Sequence, residues 1–451
     1  MVWEPFSASL LALWLQGANR SLPYTEQAKM LLWPVFPSTA VIEADGSCHN
    51  REQCLTQKRV QAYIDTLAQH RWNQSQQGVW IQSGWQVLAS NQGTVAFPAA
   101  SLTKIATSLA ALARWEVNRQ FETLVGSDGE IQGGVLQGDL IVVGGGDPLF
   151  VWEEAIAVAN RLHQLGIDRV AGNLVISGNF AMNYERDPKK AGELLKKAIN
   201  AKNWPYEAVS QYRQMPAQTP RPHLAIAGKV RTTSNLPPKF TPFLRHNSLP
   251  LVEILQQMNI YSNNAMAEML AELAGGAPKV AEIAAREAAV SPDEIQLENG
   301  SGLGLGNQVS PRAACSMLLA IQRHLQPHGL SVADLFPVAG RDRGTLVGRN
   351  IPDATVVKTG TLASVSALAG FLPTQNQGWV CFATIDRGTN ISLFRQQQDQ
   401  LLQNLQQDLG KNQRLSLIPF GRDRSSVVNQ KPFLGDPSRQ EVLLGALGHG
   451  S

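Results

Sequence analysis

Apolar residues along this chain recur with two different periods, and the switches between them lay out its elements. Between Arg59 and His70, Val60, Tyr63, Ile64 and Leu67 fall at the three- and four-residue spacings of one helix face. The next stretch, GVWIQSGWQVLASNQGTVAF (78–97), reads as two or three strands joined at Ser83-Gly84 and Asn91-Gln92-Gly93. A helix is predicted from about Ser101 to Trp115, striped with Leu102, Ile105, Leu109 and Leu112. Strand character returns over Phe121–Val143 and Val170–Ile176, around a helix near Trp152–Leu165. Residues 186–202 are Lys-rich and read as a solvated helix. Eight prolines (205, 216, 220, 222, 237, 238, 242 and 250) then argue against long regular elements. Helices follow at 251–258, 263–274, 278–289 and 311–325, strands at Thr355–Leu372 and Trp379–Asp386, and a last helix near 391–408.

The order is strands and helix, a mixed stretch, a helical block, then strands and a helix. It predicts an α+β protein with an inserted domain. The segments are 1–57, a discontinuous domain over 58–122 and 246–412, an insert over 123–245, and a tail over 413–451 that reads as loosely packed. No short-period repeat is present.

A chain of 451 residues suits two or three domains. With 43% apolar and 17% charged residues it is globular and not disordered. A net charge of +3 gives no electrostatic footprint for nucleic acid. No apolar run reaches the 18 or so residues of a membrane-spanning helix. The apolar Ser7–Leu15 is long enough for the core of a signal peptide, but Glu4 stands where a positive charge is expected. The residues leave open whether this segment is cleaved or holds the protein at a membrane surface. Cys48 and Cys54 are spaced to close a small loop in an exported protein, whereas Cys315 and Cys381 sit in apolar runs and read as buried core thiols. No histidine lies at zinc-ligand spacing beside any of the four.

Three short motifs carry candidate chemistry. In Ser101-Leu102-Thr103-Lys104 a helix places the hydroxyl and the amine about one turn apart on one face. A lysine desolvated there loses its charge readily and can take the serine proton. Taken alone the motif is weak, because 29 serines and 14 lysines in 451 residues predict about one S-x-x-K by chance. Ser262-Asn263-Asn264 lies between two predicted helices, so its side chains project from a rigid corner; the plain alternative is a helix cap. A second S-x-N, Ser177-Gly178-Asn179, has the ordinary look of a strand-ending turn. Lys358-Thr359-Gly360-Thr361 interrupts an apolar strand run. Its lysine and hydroxyls suit a carboxylate, and Gly360 allows a substrate backbone to approach; the plain alternative is a protective edge lysine.

In this order, S-x-x-K at a helix start, S-x-N between helices and K-T-G on a late strand form the signature of penicillin-recognising serine acyl-transferases. The chain resembles one branch of them, the penicillin-binding protein 4 family of D-alanyl-D-alanine carboxypeptidases/endopeptidases (peptidase family S13). Gly144-Gly145-Gly146-Asp147-Pro148, Asn299-Gly300-Ser301-Gly302-Leu303 and the stretch Ala339–Leu346 carry that closer resemblance, which covers about 60 to 410. The stretch between Ser101 and Ser262 is shorter than in members with two inserted domains, so one insert is reduced or missing.

The resemblance implies a serine β-lactamase/penicillin-binding transpeptidase-like domain, an antiparallel sheet packed with a helical block, carrying an inserted β-rich domain. It implies that Ser101 attacks the bond between two D-alanines of a peptidoglycan stem peptide and that Lys104 takes its proton. Ser262, Asn264 and Lys358 relay the proton to the leaving amine, and the backbone N–H groups of Ser101 and Thr361 hold the oxyanion. Lys358, Thr359 and Thr361 bind the substrate carboxylate, Gly360 is a further substrate-binding position, and Arg349 of the G-T-L-x-x-R stretch contributes to substrate binding. No metal or organic cofactor is implied, β-lactam antibiotics are covalent inhibitors, and the site lies in the periplasm or cell envelope. Two alternatives use other functions of the same residues: a serine β-lactamase or esterase, for which no deacylating residue can be assigned, and a non-catalytic cell-wall-binding scaffold, which five intact polar residues argue against. A nucleotide-binding reading of Gly144–Gly146 lacks the following G-K-[ST].

Overall fold

The computed structural model describes residues 48–411 and 433–443. The expectations for Ser7–Leu15 and for residues 412–432 lie outside them. Over the described residues the chain forms two compact units, one of 48–118 with 251–411 and one of 119–250 with 433–443.

The first unit opens with helix α1 (Arg51–Gln69). It starts well before the apolar stripe because Asn50 caps it, its side chain accepting from the Gln53 N–H at 2.8 Å. A Cys48–Cys54 disulfide closes the entry turn. Strands β1 (Gln77–Ser83) and β2 (Gln86–Asn91) follow, then a short 3₁₀ turn at Ala100–Leu102 that runs into α2 (Thr103–Arg114). After the second unit come α3 (Leu251–Tyr261), α4 (Asn264–Leu273), α5 (Ala277–Ala288) and α6 (Pro311–Leu325). The unit ends with β3 (Val356–Leu362), β4 (Val365–Pro373), β5 (Trp379–Arg387) and α7 (Ile391–Asp408).

The five strands make one antiparallel sheet in the order β3-β4-β5-β1-β2, so the two ends of the domain share a sheet. Side chains alternate between its faces. On one face Val380 and Phe382 pack with Val60, Ile64 and Leu67 of α1 and Leu401, Leu402 and Leu405 of α7. On the other face Cys381, between them, is joined to Cys315 of α6. This corrects the reading of these two cysteines as separate core thiols. Two apolar runs 66 residues apart give no local sign of pairing, and no free cysteine is left among the described residues.

The second unit holds a six-stranded sheet in the order 230–232, 174–179, 140–145, 122–127, 241–247, 440–442. Leu140–Gly145 pairs in parallel with Leu174–Asn179, which pairs in parallel with Val230–Thr232; the remaining pairs are antiparallel. Parallel neighbours need long crossovers, and helices Trp152–Gln164 and Pro188–Ala198 supply them. Leu140, Val142 and Ile176 from the strands bury against Ala155, Leu162 and Leu195 from these helices. Within 119–250 nine strands stand against three α-helices, so the insert is β-rich, with helices carrying its parallel crossovers. The Gln440–Val442 strand lies in the tail that the pattern reads as loose, yet it pairs with Leu244–His246.

Candidate active site

All the residues of the three motifs lie in the first unit. Ser101 sits in the 3₁₀ turn ahead of α2, just after Ala100, whose φ of +48° is rare for a residue with a side chain. Strain of this kind is found where a fold must present one group in one orientation. Two glycines permit the packing around it. Gly360 of β3 faces this turn, and a Cβ there would come within 2.8 Å of the Ala99 carbonyl. A side chain at position 360 would run into the chain's own Ala99–Ala100, so the close packing of β3 on this turn requires a glycine there. Gly302 has φ +84°, and a Cβ there would lie 1.9 Å from the Ala100 carbonyl oxygen.

Lys104, in the first turn of α2, is fully buried. Its Nζ donates to Ser101 Oγ at 3.0 Å, to Asn264 Oδ1 at 2.8 Å and to the Ser301 carbonyl at 2.7 Å. The Asn299–Leu303 turn is the back wall of this pocket. Glu268 of α4 accepts from the N–H groups of Gly300 and Ser301, and the Thr107 hydroxyl donates to the Gly300 carbonyl. Burial lowers the Lys104 amine to about 7, against the opposing pull of the Glu268 carboxylate.

Ser262 occupies the corner between α3 and α4 with φ +53°, the left-handed conformation that ends many helices but that glycine usually takes. The helix cap is its neighbour: Asn263 Oδ1 accepts from the Met266 N–H at 3.0 Å. That leaves the Ser262 hydroxyl to accept from Lys358 Nζ at 3.0 Å. Lys358 is fully buried in β3, and its Nζ also donates to the Thr359 carbonyl at 2.9 Å. Burial, and then the nearby charge of Lys104, hold its amine well below the usual lysine range. It is not an edge lysine in solvent.

The structure thus brings Ser101, Lys104 and Asn264 into one hydrogen-bonded set and Ser262 and Lys358 into another, with Gly360 against the Ser101 turn. Two amines lowered from the usual lysine range, each on a serine hydroxyl, are suited to moving protons.

Arg349 is placed differently. Its Nε and Nη2 donate to Asp399 Oδ1 at 3.0 and 2.7 Å, and Nη2 donates to Gln398 Oε1 at 3.1 Å. It is buried with that partner and ties the segment before β3 to α7. Gln398 in turn donates to Asp386 at 2.7 Å, as does the Tyr63 hydroxyl at 2.6 Å. The arginine at the mouth of the site is Arg395, which is exposed and whose Nη2 donates to Thr361 Oγ1 at 2.9 Å. Sequence reading missed it. It lies 34 residues beyond Thr361 on an ordinary amphipathic helix, and no motif marks it.

Known proteins share this arrangement at the level of fold. Penicillin G-acylated Bd3459, a predatory endopeptidase from Bdellovibrio bacteriovorus, matches with a TM-score of 0.64 at 21% identity, over 74% of this chain and 92% of that one. Penicillin binding protein 4 (dacB) from Haemophilus influenzae matches with a TM-score of 0.56 at 19% identity, over 72% and 93% of the two chains. In sequence, the D-alanyl-D-alanine carboxypeptidase DacB of Haemophilus influenzae is 23% identical over 401 residues, 67% of this chain and 83% of that protein. The profile of the D-Ala-D-Ala carboxypeptidase 3 (S13) family matches residues 60–191 and 223–408, a span that holds every motif described above. The chain belongs to the D-Ala-D-Ala carboxypeptidase 3 (S13) family.

Proposed function

We propose that the protein is a serine D-Ala-D-Ala carboxypeptidase and D,D-endopeptidase of peptidoglycan stem peptides, and that it works through an acyl-enzyme on Ser101. The observation that carries this reading is the buried Lys104 amine, lowered to about 7 and held 3.0 Å from Ser101 Oγ. The unit of 48–118 and 251–411 is the catalytic domain, and 119–250 is its insert.

Neutral Lys104 takes the Ser101 proton as Oγ adds to the carbonyl carbon. The Ser101 and Thr361 N–H groups hold the oxyanion, an interaction often worth a few kcal/mol. The C–N bond then breaks. The leaving amine takes its proton from the Ser262 hydroxyl, which is replenished through Lys358 and the Lys104–Asn264 set. Water cleaves the resulting ester and restores Ser101. β-Lactams enter by the same first step and stop at the ester. Two disulfides fit an oxidising compartment and so an exported protein of the periplasm or cell envelope. Among the described residues no helix is long and apolar enough to cross a membrane.

Incubation with a fluorescent penicillin, followed by peptide mass mapping, tests the reading. One adduct is expected on the peptide holding Ser101, absent in Ser101→Ala, with D-alanine released from a stem pentapeptide. A folded protein that takes no adduct and releases no D-alanine rules the enzyme out in favour of a scaffold. An adduct that decays within seconds makes it a β-lactamase.

Arg395 and the Thr359 and Thr361 hydroxyls form the binding site for the carboxylate next to the leaving amine. A charge-assisted hydrogen bond contributes about 1.5–3 kcal/mol. Arg395→Ala should therefore raise KM for a peptide with a free C-terminal carboxylate roughly tenfold and change kcat less than about threefold. An unchanged KM would remove Arg395 from the site.

A further inference from the structure

Three side chains from three segments converge on the surface of the second unit. His163 lies in the last turn of the helix Trp152–Gln164, Asp168 precedes the strand Arg169–Val170, and His223 precedes the strand Ala225–Ile226. The backbone fixes their approach. The two short strands pair in parallel with Arg169 opposite Ala225, and the Ala225 N–H donates to the Asp168 carbonyl at 3.1 Å. The Asp168 N–H donates to the Gly134 carbonyl at 2.9 Å, and the Gly166 N–H closes the helix end on the His163 carbonyl at 2.9 Å.

Both imidazoles meet one carboxylate oxygen. His163 Nδ1 contacts Asp168 Oδ1, and His223 Nε2 lies 3.5 Å from that atom. The two rings stand edge to face with centroids 4.5 Å apart, and the three donor atoms all lie within 4.8 Å of one another. Two imidazole nitrogens and a carboxylate are a donor set for late first-row divalent ions, which hold such ligands at about 2.0–2.2 Å. Donors around such an ion stand roughly 3–3.5 Å apart. Drawing these three onto one ion needs only small side-chain shifts on a fixed backbone.

We propose that His163, Asp168 and His223 form a binding site for a late first-row divalent cation, zinc being the natural occupant to test. The side chains are 54%, 51% and 56% exposed, which leaves further coordination positions to water or an external donor. The site is remote in sequence from the serine machinery and needs none of it. A bound ion would clamp the end of the helix Trp152–Gln164 to the paired strands Arg169–Val170 and Ala225–Ile226.

The test is zinc titration of tag-free, chelator-treated full-length protein against a chromogenic competitor, with cobalt as a spectroscopic probe. The expected result is one equivalent bound and a cobalt visible spectrum showing nitrogen and oxygen ligands. His163→Ala with His223→Ala should weaken binding about a hundredfold, and Asp168→Asn at least about tenfold. Melting curves in excess chelator establish that the variants are folded; Asp168→Asn, which keeps the side-chain shape, carries the test if the double variant is not. No stoichiometric binding by the wild type, or equal binding by the folded variants, overturns the proposal.

Discussion

Replacing Lys104 by methionine should slow acylation of Ser101 by a fluorescent penicillin at pH 8 by about 10³-fold or more. A positioned base contributes roughly 10²–10⁴ to such a step. Here the amine also fixes the nucleophile, since one Nζ holds Ser101 Oγ, Asn264 Oδ1 and the Ser301 carbonyl together. Methionine keeps most of the volume and removes all three donors. The wild-type rate should respond to pH with a definite sign. Lys104 acts as a base only when neutral, and its amine is lowered to about 7, so acylation should rise from pH 6 through 7 and level off above 8. Glu268 raises the amine by its charge. Glu268→Gln should therefore lower it further and move the rise to more acidic pH. Stopped-flow acylation across pH 5.5–9 reads both effects. A flat profile, or a Lys104→Met variant that acylates within tenfold of wild type, would show that another group takes the proton.

What the sequence made legible was local. Ser101 and Lys104 meet because three residues are about one helical turn, and the S-x-N corner follows from two helices meeting at Ser262. The chain order of the three motifs then carried more weight than any one of them. What stayed hidden depends on segments far apart in the chain. The Ser301 carbonyl on Lys104, Arg395 on Thr361 and Cys315 on Cys381 are contacts between distant elements, and periodicity says nothing about partners. Arg349 shows the converse. A motif singled it out, but its guanidinium is engaged by Asp399 and Gln398 of a helix that the motif does not include. In the second unit the strands were visible as apolar runs. Both crossover helices were visible too, but which strands pair and in which direction depends on partners far apart in the chain.

Gly302→Ala should abolish more activity than its size suggests, and Gly348→Ala should show why. Both glycines have positive φ, +84° and +78°, so each alanine carries a similar left-handed strain of about 1–2 kcal/mol. At Gly348 nothing lies within 4 Å of the added Cβ, and the strain is the whole effect. At Gly302 the Cβ would lie 1.9 Å from the Ala100 oxygen and 2.7 Å from Thr103 Oγ1. Something must move, and the backbone within reach is Ala100, already at φ +48° and bonded to Ser101. The preceding residue, Ser301, supplies the carbonyl that holds Lys104. A displacement here therefore shifts the nucleophile and its base at once, and misplacement by about 1 Å can slow a reaction 10²-fold. The expected outcome is acylation at least about a hundredfold slower in Gly302→Ala and within about threefold of wild type in Gly348→Ala. Both variants should melt below wild type, Gly302→Ala further. If Gly302→Ala acylates at the wild-type rate, the 299–303 turn does not set the position of Ser101. The geometry of the nucleophile must then come from β3 and the Gly360 contact alone.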